Sequence, residues 1–183
     1  MVSITAGNIL IADPFLKDPN FMRSVVFICE HEDAGSFGFV MNRRHKKKIG
    51  ELLTDLDGIN FPVYSGGPVQ QDTIHFLHQR PDCITGGVEI TDGIFWGGEY
   101  EEVVSLMQRK LLEPHMIRFY IGYSGWGQGQ LEDELKEKSW LTTDGNKKLV
   151  FHRNDSQVWK DALHQMGAKY GQLVNYPIDP QLN

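Results

Sequence analysis

A chain of 183 residues, 40% hydrophobic and 23% charged, is long enough to bury one core and short for two, so a single domain over residues 1–183 is expected. The net charge of −6 excludes a general attraction to nucleic-acid phosphates, and the two cysteines, Cys29 and Cys83, have the spacing of neither a disulfide framework nor a zinc site. The opening residues lack a basic start and their longest apolar run is residues 9–12, which argues against a secretory signal or membrane span and gives the expectation of a soluble, cytoplasmic protein.

In chain order, short apolar runs bounded by turn residues predict strands over 8–12, 24–30, 37–42, 74–79, 88–91, 94–97 and 117–123, all rich in Val, Ile, Phe and Tyr. Asp92-Gly93 lies between two of them and predicts a two-residue hairpin turn, because both residues tolerate positive φ. Helical signals fall at about 50–56, 100–110, 130–138 and 156–166. In the last, Val158, Trp159, Ala162, Leu163 and Met166 share one face, Asn154 or Asp155 is available as N-cap, and Gly167 is placed to end the helix. The order of elements, three strands, a helix, three strands and then alternation, is not a regular βαβ series. It predicts an α+β domain with a mixed, mostly antiparallel sheet and flanking helices. The tail from 175 to 183, with Pro177 and Pro180, reads as extended.

Four blocks, "GNILIADPFLKDPNFMRSVVFICEHEDAGSFGFVMNR", "SGGPV", "TDGIFWGG" and "FYIGYSGWGQGQLEDEL", resemble the bacterial AlgH/YqgE family in content and order across most of residues 7–140. The resemblance implies a soluble bacterial protein whose sheet bifurcates and folds into a pseudo-barrel flanked by helices. It also implies the family's general label of transcriptional regulator, and it brings no catalytic residues. At "NRRHKKKIGELL" the chain departs from the family, whose members more often follow Asn-Arg with Pro and a neutral loop.

The glycine-rich stretch from 122 to 129 is neither a dinucleotide fingerprint nor a P-loop, and Glu132, Asp133 and Glu134 already complement the following helix start, so it reads as a strand-to-helix corner. Ser124 fails as a nucleophile elbow because Trp126 stands where the last glycine belongs. His75 and His78, three apart on a strand, point to opposite faces, and His31 sits beside Glu30, Glu32 and Asp33 in what reads as an acidic turn, so neither metal nor cofactor is expected. Arg43, Arg44, Lys46, Lys47 and Lys48 form a basic loop able to contact nucleic-acid phosphates without reading bases, or simply to be solvated. Arg23, His31, Asn42, Gly66 and Gly67 form a candidate ligand pocket, with an Arg23 clasp to Asp13 or Asp18 as the structural alternative.

The resulting expectation is a non-enzymatic regulator acting by binding a protein partner or small ligand, with no membrane partner. Direct nucleic-acid binding through the basic loop, and hydrolytic or metal-dependent chemistry, are the alternatives.

Overall fold

The computed structural model describes residues 3–176, so the extended tail expected beyond Tyr176 lies outside the described residues. The chain begins with β1 (Asn8–Ala12), β2 (Val25–Glu32), β3 (Gly35–Val40), β4 (Arg44–Lys48), α1 (Ile49–Leu52), β5 (Pro62–Ser65) and β6 (Val69–His78). It continues through β7 (Val88–Thr91), β8 (Ile94–Trp96), α2 (Tyr100–Gln108), β9 (Ile117–Gly127), α3 (Gln130–Lys136), β10 (Trp140–Asp144), α4 (Lys147–Val150), α5 (Val158–Gln165) and α6 (Ala168–Gly171).

The strands run in the order β10-β1-β2-β3-β9-β6-β8-β7, with β5 pairing β9 and β4 pairing β5 off this path. Every pairing is antiparallel except β5 with β9, as the irregular order of elements implied. The split in the sheet is made by β9: Phe119 to Ile121 pair with β5, while Ser124 to Gly127 pair with β3. Gly122 stands between the two halves with φ +66, and a Cβ there would lie 2.7 Å from the Gly67 carbonyl oxygen, so the bend needs glycine.

The apolar runs of β1 and β2 are buried on both faces. Ile9, Ile11, Val25 and Phe27 join the cluster covered by α5, while Leu10, Ala12, Val26 and Ile28 pack on the other side with Trp126, Leu131 and Trp140. A third cluster seats Val103 and Met107 of α2 against Val63, Ile117 and Phe119. Each fully buried side chain of this kind contributes roughly 2 kcal/mol by removing apolar surface from water. Of the expected face, Val158, Trp159, Ala162 and Leu163 are buried in α5, while Met166 follows the helix and is partly buried against the same cluster; Asn154 caps the preceding 3-10 turn by accepting from the Ser156 amide, and Gly167 terminates the helix at φ +109. The 88–96 hairpin forms as expected, with Asp92 and Gly93 at φ 48 and 71.

Several local expectations change. The glycine-rich stretch stays in β9 as far as Gly127, and only Gln128-Gly129 turn the corner, with Gly129 at φ +74. The strand persists because its amides and carbonyls find ladder partners on β3, which the local sequence does not announce. The basic run is no loop but strand β4, paired with β5; neither strand was expected, since five consecutive cationic or imidazole side chains carry no apolar alternation. The helix at 50–56 breaks at Leu53, whose extended backbone separates α1 from a 3-10 turn.

Candidate functional site

Where β2, β3, β6, β8 and β9 converge, an open cleft of about 560 Å³ is lined by Glu30, Glu32, Phe37, His75, Trp96 and Tyr123. Its rings are in mutual contact. Phe37 lies 4.9 Å from Trp96 and 5.9 Å from Tyr123, and His75 lies 6.3 and 6.1 Å from the same two rings. Phe39, fully buried, supports the His75 ring at 5.3 Å. Strand register explains the convergence: Phe37 is opposite Gly125, a cleft-lining position without a side chain to fill the space.

The two carboxylates reach this face through a β-bulge. Ile28 pairs with Gly38 but Glu30 pairs with Phe37, so Cys29 is an extra residue that reverses the facing of everything after it. Without it, Glu30 would follow Ile28 to the far side by simple alternation. Burial lowers the pKa of His75, so at neutral pH the imidazole is uncharged and the formal charge of the cleft comes from Glu30 and Glu32. Aromatic faces beside two carboxylates attract an organic cation, through the negative ring faces and through direct ion pairing.

In the same hairpin, His31 Nδ1 lies 2.6 Å from the hydroxyl of Ser36, a residue that also lines the cleft, and its Nε2 lies 3.4 Å from Glu132 Oε1. Hydroxyl, imidazole and carboxylate therefore form one chain.

The other expected pocket residues do not assemble. Asn42 bridges strands, accepting from the Val25 amide at 3.0 Å and donating to the Arg23 carbonyl at 2.9 Å, so it meets Arg23 only at the backbone. The Arg23 side chain turns to Trp159, 4.5 Å above the ring, and donates to the Tyr176 carbonyl. It makes no clasp with Asp13 or Asp18, whose carboxylates instead accept from the nearby Phe15 and Asn20 amides. Arg43 holds that loop, donating to the Pro19 and Met22 carbonyls at 2.9 and 3.1 Å. Gly66 and Gly67 do permit a close approach, but by backbone: a Cβ on Gly67 would sit 2.2 Å from the Tyr123 carbonyl. Ser124 is fully buried and donates to the Gly66 carbonyl at 3.0 Å.

The basic run is divided three ways. Arg43 is spent on the loop, His45, Lys46 and Lys47 line a cleft with Gly67 and Gln71, and Arg44 and Lys48 line another. A continuous phosphate-binding stripe is not what β4 presents. Among the described residues there is no group of three His, Cys, Asp or Glu side chains placed to hold a metal, and no helix long and apolar enough to cross a membrane. Sequence reasoning missed Phe37, Trp96 and Tyr123, which sit on three strands whose register no local signal reveals. It also passed over Arg118, although one charge inside the apolar run "IRFYIGY" was a visible anomaly.

These features define a class: an α+β domain whose curled, mostly antiparallel sheet forms a half-barrel flanked by helices. The family profile described as AlgH-like matches residues 9–171, and the chain belongs to that family. It is 41% identical over 177 residues to a UPF0301 protein of Chlorobium limicola, covering 97% of this chain and 95% of the relative. A UPF0301 protein of Cytophaga hutchinsonii is 42% identical over 181 residues, covering 98% of this chain and 100% of its own length. The solution structure of the AlgH protein from Pseudomonas aeruginosa superimposes with a TM-score of 0.73 at 26% identity, over 97% of this chain and 98% of that one. A crystal structure from Corynebacterium diphtheriae shares the fold with a TM-score of 0.77 at 19% identity, over 96% and 94% of the two chains.

Proposed function

We propose that this protein is a non-catalytic, cytoplasmic binding protein with a regulatory role, whose aromatic cleft receives an organic cation. The cation is a guanidinium or ammonium group, carried by a small ligand or presented by a protein partner. The observation that supports this reading is the contact of Phe37, His75, Trp96 and Tyr123 around one opening, with Glu30 and Glu32 on its lining. A desolvated cation over one such ring gains about 2 kcal/mol, and over several rings the preference for charge becomes decisive. Calorimetric titration with N-acetyl-arginine amide and its neutral citrulline counterpart tests it. The arginine probe is expected to bind saturably and at least ten-fold more tightly, with Trp96→Ala and the double change Glu30→Gln, Glu32→Gln each weakening it about five-fold or more. Equal binding of the two probes refutes the cation site, and turnover of any substrate in a panel of esters and phosphates refutes the non-catalytic part.

A second reading, hydrolysis, is favoured by the Ser36–His31–Glu132 chain, whose order is that of a nucleophile, a base and an orienting acid. An alkyl fluorophosphonate that labels wild-type Ser36, but neither the Ser36→Ala nor the His31→Ala variant, supports it. A protein inert to the reagent rules it out.

A further inference from the structure

Arg118 is the second residue of β9, within an apolar run, and is only 6% exposed. Its guanidinium donates to the Tyr64 hydroxyl and to the His152 carbonyl and lies 5.3 Å over the Tyr64 ring, all of them neutral partners. Its Nε is buried with no hydrogen-bond partner, and among the described residues no carboxylate lies within ion-pairing distance. Arginine does not shed its proton, so this is a buried positive charge without a counter-ion, which is costly unless something else neutralises it.

The surroundings add more charge of the same sign. Arg118 lines a cleft of about 340 Å³ together with Arg44, Lys48, His115 and Arg153. Of the four formal cations only Arg44 has a carboxylate, Asp155 at 3.1 Å. The other nearby acids are engaged elsewhere: Glu51 accepts from the Lys48 backbone amide at 2.7 Å, Asp161 lies 2.7 Å from His152, and Glu113 lies 3.3 Å from His115. Strand pairing holds the cluster together, since Arg44 is opposite Tyr64 and β5 runs parallel to β9 beside Arg118. Like charges are thus gathered by the fold against their own repulsion, where an incoming anion would relieve both the repulsion and the unpaired guanidinium.

We infer that this cleft binds a small polyanion of the phosphate class, bearing two or more negative charges. Planar guanidinium forks suit phosphate oxygens, and Lys48 supplies a point charge beside them. With about 30 Å³ per water-sized volume, the cleft has room for a pyrophosphate with several waters. A nucleic-acid duplex fits less well, because β4 divides its cations between separate clefts. The inference is independent of the aromatic cleft, which has a different lining and the opposite charge.

The test is calorimetric titration of pyrophosphate into the full chain at 150 mM KCl, with the Arg118 Nε–H signal followed by 1H–15N NMR. A single saturable site is expected. Arg153→Ala and Lys48→Ala, both changes of side chains outside the core, are expected to weaken binding at least ten-fold each, and the Arg118 signal should shift with the wild-type Kd. Arg118→Met should abolish binding, with circular dichroism checking that the anion-free variant is folded. Unaltered affinity in Arg153→Ala and Lys48→Ala overturns the inference, as does an Arg118 signal that stays still at saturation. So does binding of a twelve-base-pair duplex in place of pyrophosphate. If Arg118→Met does not fold, the two outer variants and the NMR signal decide the matter.

Discussion

Glu134 offers the sharpest test of how this fold is held together. Its Oε2 accepts from the indole N–H groups of both Trp126 and Trp140, at 2.9 and 2.8 Å, and its Oε1 accepts from Gln130 at 3.0 Å. One carboxylate on α3 therefore joins β9 to β10, between two indoles that are 5% and 4% exposed. Truncation to Ala strands both donors in a nearly dry site. A buried donor left unsatisfied costs about 1–3 kcal/mol, so two of them, with some relief from water reaching the helix surface, give a loss of about 3 kcal/mol. Glu134→Gln keeps one acceptor oxygen for the two indoles, but loses the charge assistance on their bonds and the exposed bond from Gln130, whose amide donor would face the new amide group, which places it near 1 kcal/mol. Urea unfolding followed by far-UV circular dichroism and by tryptophan fluorescence measures both variants, provided the two signals coincide. For a chain of this size the Ala variant should also melt roughly 6–12 °C lower, at about 2–4 °C per kcal/mol. An Ala variant within about 0.5 kcal/mol of wild type, the scatter of a neutral surface change, refutes the clamp. So does a Gln variant as damaged as Ala.

Three further outcomes follow from the same structure. Gly67→Ala drives a methyl group to 2.2 Å from the Tyr123 carbonyl, so the β5–β9 junction must open, and urea unfolding should show a loss of about 3 kcal/mol or more; a loss under about 1 kcal/mol contradicts the close approach. His78 is fully buried, accepts from the Arg80 amide at Nδ1 and donates from Nε2 to the Gly97 carbonyl, and its burial lowers its pKa below the ordinary 6.5. The unfolded chain then takes up the proton first, so stability is complete above about pH 6.5 and falls as pH drops toward the folded pKa, with burial of His75 adding in the same direction. Unfolding free energies that are equal at pH 7.5 and 5.5, or a His78→Gln variant with an undiminished slope, refute this. Finally, burial, with Glu30 alongside, pushes the Cys29 thiol well up, while Cys83 is partly exposed. Iodoacetamide should therefore alkylate native Cys83 well before Cys29, as peptide mass spectrometry reads directly, and equal rates would contradict the packing.

The sequence by itself determined what depends on neighbours in the chain. Alternating or continuous apolar runs marked β1, β2, β3 and the core of β9, Asp92-Gly93 marked the hairpin, and one apolar face with its cap and closing glycine marked α5. These signals are local, because strand and helix periods are written in residues a few positions apart. The resemblance carried by the N-terminal block, "TDGIFWGG" and "GYSGWGQGQLEDEL" named the family to which the chain belongs. Only the tertiary structure decided the rest. Strand β4 exists because β5 pairs with it, against the solvation its charges would otherwise seek. The fate of Arg23 and Arg43 was exchanged by loop geometry: both could reach the N-terminal loop, and packing on Trp159 claimed the first. The single extra residue at Cys29 turned Glu30 and Glu32 toward rings contributed from four other strands, and the path of β9 placed Arg118 among cations up to 74 positions away in the chain, counting from Arg44 to Arg118. Register, bulges and the meeting of distant charges are set by closing long loops around a shared core. Their energies belong to contacts between segments, which no short window of residues contains.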